Sequence, residues 1–460
     1  MLSNSSPKGS FFLGLQPTQA WMAILGLVFF SALCILAGAG SILRLAFPVG
    51  SLAVGIFLYV RYPILYIGFT WWMWFLTPLL RRLVDYRSGW DQQGLILLAP
   101  FLVTLITFTT FLRHLPKSYR IGGLPFVLAF TGVFYAFLIG LIQTSPALAA
   151  RALLDWLTPI LFGFHLLVNW RDYPSYRQNI QRTFLWGVFV MGVYGLLQYV
   201  VAPEWDMLWL INSKMTTSAG APVPFGFRIW STLHSFGHLA VFLMAALLLL
   251  FNSQGPLRLP ASAVGYLSFL LTSARSTWGG WLLGIFTLLI SLKPHLQMRL
   301  VVTILVMVLC VFPLTTIEPF ATAINSRFQS FSDLKNDGSA NARGEIYSDT
   351  NLDLAFSNSL GNGIGGGGVT DSGILDIFFT LGWFGAIPYV GGMVLIIFEL
   401  FQSSEARFDT FASASRAIAL GVIWLLLFFS SMITFFGLFF WAFSGMGMAA
   451  CKYYQHQRSA

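Results

Sequence analysis

The chain has 460 residues, 57% of them hydrophobic and 9% charged, with a mean hydropathy of +0.74. Ordinary soluble domains carry about a quarter charged residues, so this composition excludes a soluble globular protein and points to an integral membrane protein. A net charge of +9 would suit nucleic acid if the 26 Lys and Arg were massed on one face, but they are scattered between apolar segments.

Apolar runs of about 17 to 25 residues recur along nearly the whole length, each long enough to cross a core of roughly 30 Å as a helix. Closed barrels show short alternating segments instead, so the fold class expected is an all-α polytopic membrane protein. The N-terminal stretch has one lysine before a full-length apolar span and no small-residue cleavage pattern, and the first span is expected to be a retained anchor. Transmembrane helices are predicted near 20–40, 45–60, 63–80, 93–112, 124–143, 153–169, 183–201, 231–251, 260–274, 277–291, 300–314, 373–400, 417–433 and 435–450. That makes about fourteen, or twelve to fourteen given the tight second and third spans and the unbroken apolar stretch shared by the last two. The organisation divides into N-terminal helices over 1–201, a core region over 202–314 with an entry segment at 202–230, a large loop over 315–372 and C-terminal helices over 373–460. Cys34, Cys310 and Cys451 lie far apart, with neither metal-ligand spacing nor a disulfide framework.

Orientation follows from Lys and Arg in the loops. With a cytoplasmic N-terminus, fifteen fall in the tails and inner loops and six in short outer loops: Arg44, Arg81, Arg82, Arg87, Arg151 and Arg275. The Arg81, Arg82, Arg87 group opposes the bias. Both long segments then face outward and both termini inward. The second long segment is rich in acidic residues and ends in LGNGIGGGG. A connection of that length is more often functional or disordered than a mere link. Ile346, Leu352, Leu354 and Phe356 alternate with polar positions from Ala342 to Ser357, which predicts short amphipathic helices at the interface followed by a mobile glycine hinge.

Four stretches carry candidate chemistry. In PFGFRIWSTLHSFGHLAVFLM, Arg228 stands at the threshold of a helix, and His234 and His238 share one face at a spacing of four. Arg228 also suits an interfacial anchor beside Trp230, and the histidines suit packing or local hydrogen bonding, since no HExxH or third ligand accompanies them. In LSFLLTSARSTWGGWLLG, Arg275 interrupts an apolar run, where an arginine must snorkel, pair or line a cavity. In NARGEIYSDTNLDLAFSNSLGNGIGGGGVTDSG, Arg343 opens the polar stretch, with Glu345 and Asp349 four apart. In DSGILDIFFTLGWFG, Asp371 suits an N-cap, and Asp376 one turn deeper is a carboxylate inside a span, which usually has a partner. Asp155, expected to pair with Arg151 four residues earlier, and His165 are the polar residues to test near the midplane.

The order of these elements over about residues 225–390 resembles the bacterial O-antigen ligase and O-antigen polymerase superfamily. The resemblance implies a metal-independent, inverting glycosyltransferase of the helical membrane type called GT-C, without a cofactor, working at the outer face of the bacterial cytoplasmic membrane. Its donor would be a polyprenyl-diphosphate-linked oligosaccharide and its acceptor a glycan. Membrane lipids, a flippase or a chain-length regulator are the partners it suggests. Carried over by position, Arg228 and Arg343 would bind the donor diphosphate and Arg275 would help shape that site. His234, Glu345, Tyr347 and Asp349 would contact substrate, and Asp371 would orient or deprotonate the acceptor. Ligases typically have a histidine where this chain has Asp371, which favours polymerisation of lipid-linked repeat units over ligation to lipid A core or protein. The usual Pro-Asn after the first arginine is replaced by LHSFG. Outside the class, a secondary transporter of a small anion and a non-catalytic export scaffold are the alternatives.

The physical logic is independent of the resemblance. As an acceptor hydroxyl attacks the anomeric carbon, negative charge grows on the departing diphosphate, and arginine grips two phosphate oxygens with a planar, permanently charged fork. Arginines at the membrane boundary can thus do the work of a divalent cation.

Overall fold

Hydrocarbon offers no partner for backbone N–H and C=O groups, so long apolar runs close their hydrogen bonds internally as helices. The computed structural model describes residues 17–251, 255–291, 297–298, 300–302, 304–305, 347, 349–366, 372–402, 406 and 409–459. The N-terminal helices are α1 (Thr18–Leu36), α2 (Gly40–Arg61), α3 (Pro63–Ser88), α4 (Leu98–Leu105), α5 (Phe108–His114), α6 (Leu124–Gln143), α7 (Pro146–Val168) and α8 (Tyr173–Val201). Two short helices, α9 (Glu204–Asn212) and α10 (Thr216–Ala219), precede α11 (Phe236–Leu250), α12 (Arg258–Leu271) and α13 (Arg275–Ser291). The remainder contains α14 (Asp349–Phe356), α15 (Gly373–Gln402), α16 (Thr410–Leu425) and α17 (Thr434–Ser459).

Among the described residues nine helical segments are long and apolar enough to cross a membrane, while Phe236–Leu250 and Thr410–Leu425 are shorter apolar helices. The chain is an all-α, multi-pass membrane protein. The span expected at 300–314 falls mostly outside the described residues. Two helices start well before their apolar runs: α7 at Pro146 rather than 153, and α8 at Tyr173 rather than 183. In α7 the reason is local. Ser145 accepts a hydrogen bond from the Leu148 N–H at 3.3 Å, and Pro146 occupies the first turn, where its missing N–H costs nothing.

The N- and C-terminal helices interlock. A Cβ added to Gly163 of α7 would overlap the Trp441 carbonyl oxygen, and one on Gly445 of α17 would overlap that of Gly163. The absence of side chains lets the two backbones touch, the usual means by which membrane helices gain packing energy without a hydrophobic driving force. Gly132 and Gly385 do the same for α6 and α15.

The glycine-rich tail of the long loop is packed between helices at 361–365 rather than forming an open hinge. Gly382 (φ +61°) interrupts α15, and the carbonyls of Phe379 and Thr380 accept from the N–H groups of Asn362 and Gly363, each at 3.0 Å. Ile364 donates to the Ala136 carbonyl of α6 at 3.1 Å. Irregular backbone among membrane helices is therefore satisfied by other backbone. Gly361 and Gly363, both with positive φ, are needed where the chain passes against α15 and α6.

One end of the bundle collects the turns at 88–95, 143–146 and 271–275 with the segments 202–235, 357–366 and 426–433. At the other end, Asp409 accepts from Tyr173 Oη (2.9 Å), Arg177 Nη1 (3.0 Å) and Tyr454 Oη (2.8 Å) and caps α16 through the N–H groups of Phe411 and Ala412.

Candidate functional site: a cavity at the loop-rich end

The segment leading into α11 is anchored before it reaches the cavity. Ser231 has φ +52°, and the Gln198 Oε1 of α8 accepts the N–H groups of Trp230 and Ser231 at 3.0 and 2.8 Å. Ser231 Oγ donates to the Met191 carbonyl, and Thr232 Oγ1 to that of Phe75. From α3, the Arg82 guanidinium donates to the Ser231 carbonyl and pairs with Asp206 of α9, both contacts at 2.5 Å. Asp206 is held in turn by Tyr194 Oη at 2.9 Å. A buried ion pair lacking either partner would strand a charge, so α3, α8 and α9 form one clamp around residues 230–232.

This clamp places Leu233, His234 and His238 on the wall of a cavity of about 450 Å³. Its other walls come from Trp74 and Pro78 of α3, Phe101 of α4, Arg151 and Asp155 of α7, and the stretch Phe429–Phe436, which runs from the α16–α17 connection into the first turn of α17. Most of the lining is apolar or aromatic, with a few polar groups converging on it, the usual make-up of a ligand site. The Arg151 Cζ lies 4.4 Å from the centre of the Phe101 ring. Its Nη2 is 3.8 Å from Asp155 Oδ1, an ion pair too long for a hydrogen bond. Asp155 Oδ1 is buried and has no hydrogen-bond partner.

His234 packs edge-on against Trp209, with ring centres 4.9 Å apart, and its carbonyl accepts from Trp209 Nε1 at 3.2 Å. Arg81 lies over the same indole, its Cζ 4.9 Å from the ring centre. Burial, followed by the positive charges of Arg81, Arg82 and Arg151, pulls the His234 imidazole down to a pKa of about 4. It is neutral at physiological pH, a ring that can donate or accept one hydrogen bond without adding charge. His238 behaves as a locally bonded residue: its Nδ1 is 2.7 Å from Ser235 Oγ, and its ring lies 4.2 Å from that of Phe436.

The 426–434 wall is fastened from behind. Ser430, which lines the cavity, donates to Asp376 Oδ2 at 2.6 Å, and the Leu426 carbonyl accepts from the Gly373 N–H at 2.8 Å. Asp376, the intramembrane carboxylate, thus has hydroxyl partners, with Thr380 Oγ1 at 3.4 Å as the second. Tyr347 Oη donates to the Leu427 carbonyl at 2.8 Å and lies 3.0 Å from Ser372 Oγ.

Of the candidates read from sequence, His234 lies in the cavity and Tyr347 is tied to its wall. Arg228 is half-buried at the same end, its Cζ 4.9 Å from the centre of the Phe236 ring, and is not among the cavity-lining residues. Arg275 begins α13; the next residue's carbonyl accepts from Trp424 Nε1 at 3.0 Å, which joins α13 to α16 beside the wall. Asp349 is the first residue of α14. Arg343, Glu345 and Asp371 lie outside the described residues. His165 makes a local contact instead, its Nδ1 2.8 Å from Thr110 Oγ1 beneath the Tyr59 and Tyr66 rings. Among the described residues no three of His, Cys, Asp and Glu are grouped so as to hold a metal ion.

The expected pairing of Arg151 with Asp155 is present, and Asp155, singled out in the sequence for a midplane role, instead lines the cavity at the loop-rich end beside Arg151. Sequence reasoning read Arg81 and Arg82 only as exceptions to the orientation rule. Four of the six short-loop arginines prove to be ion-paired: Arg44 and Arg81 with Asp85, Arg82 with Asp206, and Arg151 with Asp155. Neither a protein-family profile nor a curated protein matches this chain.

Proposed function

We propose that the chain is a membrane glycosyltransferase that extends polyprenyl-diphosphate-linked oligosaccharides, with the cavity beneath Phe429–Phe436 holding the sugar–diphosphate junction. The observation that carries this reading is the joint presence, in one largely apolar cavity, of the Arg151 guanidinium, the Asp155 carboxylate and the neutral His234 imidazole. An arginine among aromatic walls offers a fixed cation to a phosphate where water is scarce and electrostatic forces are strong. Rings such as Trp74, Phe101 and Phe436 offer flat apolar faces for pyranose C–H groups. A second, wholly apolar groove of about 410 Å³ runs between α15 and α16 from Ile374 and Leu426 to Ile397, and in this reading it takes prenyl chain.

The acceptor hydroxyl attacks the anomeric carbon, the bond to the diphosphate oxygen breaks, and polyprenyl diphosphate leaves with inversion. Arg151 meets the charge that develops on the leaving oxygens. Arg228 and Arg275, at the same end of the bundle, and Arg343 from the long loop keep the donor-binding roles that the sequence resemblance implies. No metal enters the scheme. The finer topology belongs to the same proposal: fourteen crossings, both termini cytoplasmic, and the loop-rich end facing the outside of a bacterial cytoplasmic membrane. Polymerisation is preferred to ligation because Asp371 stands where ligases typically carry histidine.

The test is to give purified protein a synthetic polyprenyl-diphosphate oligosaccharide in the presence of a chelator. Longer lipid-linked products from the wild type, and their loss in R151Q and R228A with membrane insertion intact, are expected. Solute uptake by proteoliposomes with unchanged lipid-linked sugars would replace this reading with the transporter.

A further inference from the structure

We infer that Asp155 is the general base of the transfer, the group that takes the proton from the acceptor hydroxyl. The inference rests on the glycosyl-transfer reading above and deepens it.

An attacking hydroxyl must find its proton acceptor in the cavity. Its polar side chains are Arg151, Asp155, His234, His238, Ser430 and Thr434, so Asp155 is the one carboxylate among the described lining residues. A guanidinium is no acceptor. His238 has its Nδ1 engaged by Ser235, and Ser430 donates to Asp376. His234 is surrounded by Arg81, Arg82 and Arg151, which oppose any further positive charge on it. Asp155 is the opposite case. Arg151 favours its ionised form at 3.8 Å, yet leaves Oδ1 without a hydrogen bond. Buried carboxylate oxygens are nearly always bonded, and Asp155, whose side chain lines the cavity and is 23% exposed, keeps acceptor capacity for a donor that arrives with the substrate.

The spacing suits the reaction. Arg151 and Asp155 are four residues apart on one helical face, with Cβ atoms about 5–6 Å apart in a regular helix. A displacement at carbon separates the entering and leaving oxygens by a few ångström, so a phosphate on Arg151 and an acceptor hydroxyl at Asp155 can flank one anomeric centre. The balance is complete. The acceptor oxygen forms the new bond to the anomeric carbon, its proton passes to the Asp155 carboxylate, and the electron pair of the broken bond leaves on the diphosphate.

The experiment compares wild type, Asp155→Asn, Asp155→Glu and Asp371→Asn in lipid nanodiscs, measuring chain extension against pH and, separately, binding of the intact lipid-linked donor. Base removal is expected to lower kcat by roughly 10²–10⁴-fold with donor affinity little changed. It should also abolish the fall in rate on the acid side of the profile, which Asp371→Asn retains. Asp155→Glu should recover part of the rate together with the acid limb. A folded Asp155→Asn with wild-type kcat, or one that keeps the acid limb while Asp371→Asn loses it, overturns the assignment and leaves the glycosyltransferase reading standing. If Asp155→Asn does not fold, a folded Asp155→Glu without an acid limb overturns it equally. A wild type that extends no lipid-linked donor overturns the reading itself.

Discussion

The guanidinium of Arg82 and the carboxylate of Asp206 meet at 2.5 Å with neither side chain exposed, and this pair joins α3 to the segment that carries His234. Removing one partner strands the other charge, so R82M or D206L should cost about 3–5 kcal/mol. The double variant R82M/D206L should recover much of that loss. Thermal unfolding in detergent across this double-mutant cycle checks the coupling, and strictly additive losses would contradict it.

The His234 imidazole titrates at about 4 in the folded protein and near 6.5 when unfolded. Between these values the unfolded chain binds the extra proton, so stability falls as pH drops through that window and is fully present above it. A shift of this size corresponds to about 3 kcal/mol. The unfolding temperature of the wild type should therefore decline between pH 6.5 and 4 more steeply than that of H234Q. Parallel curves would remove the claim that His234 is held neutral by burial and by the neighbouring arginines.

At the crossing of α7 and α17, any side chain at Gly163 or Gly445 meets backbone rather than a movable side chain. G163L should push the helices apart and cost at least about 1–3 kcal/mol, seen as a lower unfolding temperature and less folded protein extracted from membranes. The same substitution at Gly391, whose surroundings are open, should be close to neutral.

Tyr347 reaches from the long loop to the Leu427 carbonyl, on the wall that also carries Ser430. Y347F loses two hydrogen bonds, to the Leu427 carbonyl and to Ser372 Oγ, and should change stability by about 1–3 kcal/mol. If that wall shapes the site, turnover should fall more than this loss of stability explains, and S430A should have the same effect. Wild-type turnover in both variants would separate the wall from the chemistry.

The membrane class was legible because hydropathy is summed over whole spans, and the local errors have physical causes. The α7 start was missed because Arg151 and Asp155 interrupt its apolar run, and the Ser145 cap and Pro146 set it; the first turns of α8 are polar and are tied to Asp409 through Tyr173 and Arg177 rather than held by lipid. The last two spans were divided at 434, where Thr434 has φ +52°, but the first of them ends at Leu425 rather than 433, because residues 426–433 are apolar enough to read as helix. Periodicity does not register such a turn. His234 could be picked out because a histidine beside an arginine motif is conspicuous. The Asp155–Arg151 pair could be seen as a pair, but the cavity it faces is built by Phe101, Leu233 and Phe429, which are far apart in the chain and apolar. Only the folded arrangement turns them into walls.

The most direct test is photocrosslinking of a polyprenyl-diphosphate oligosaccharide that carries a photoreactive group on the sugar next to the diphosphate. The account predicts labelled peptides containing residues 233–238, 429–436 and 151–155, with labelling suppressed by unlabelled donor and reduced in R151Q. Labelling confined to the Asp409 end of the bundle, or unaffected by competing donor, would contradict it.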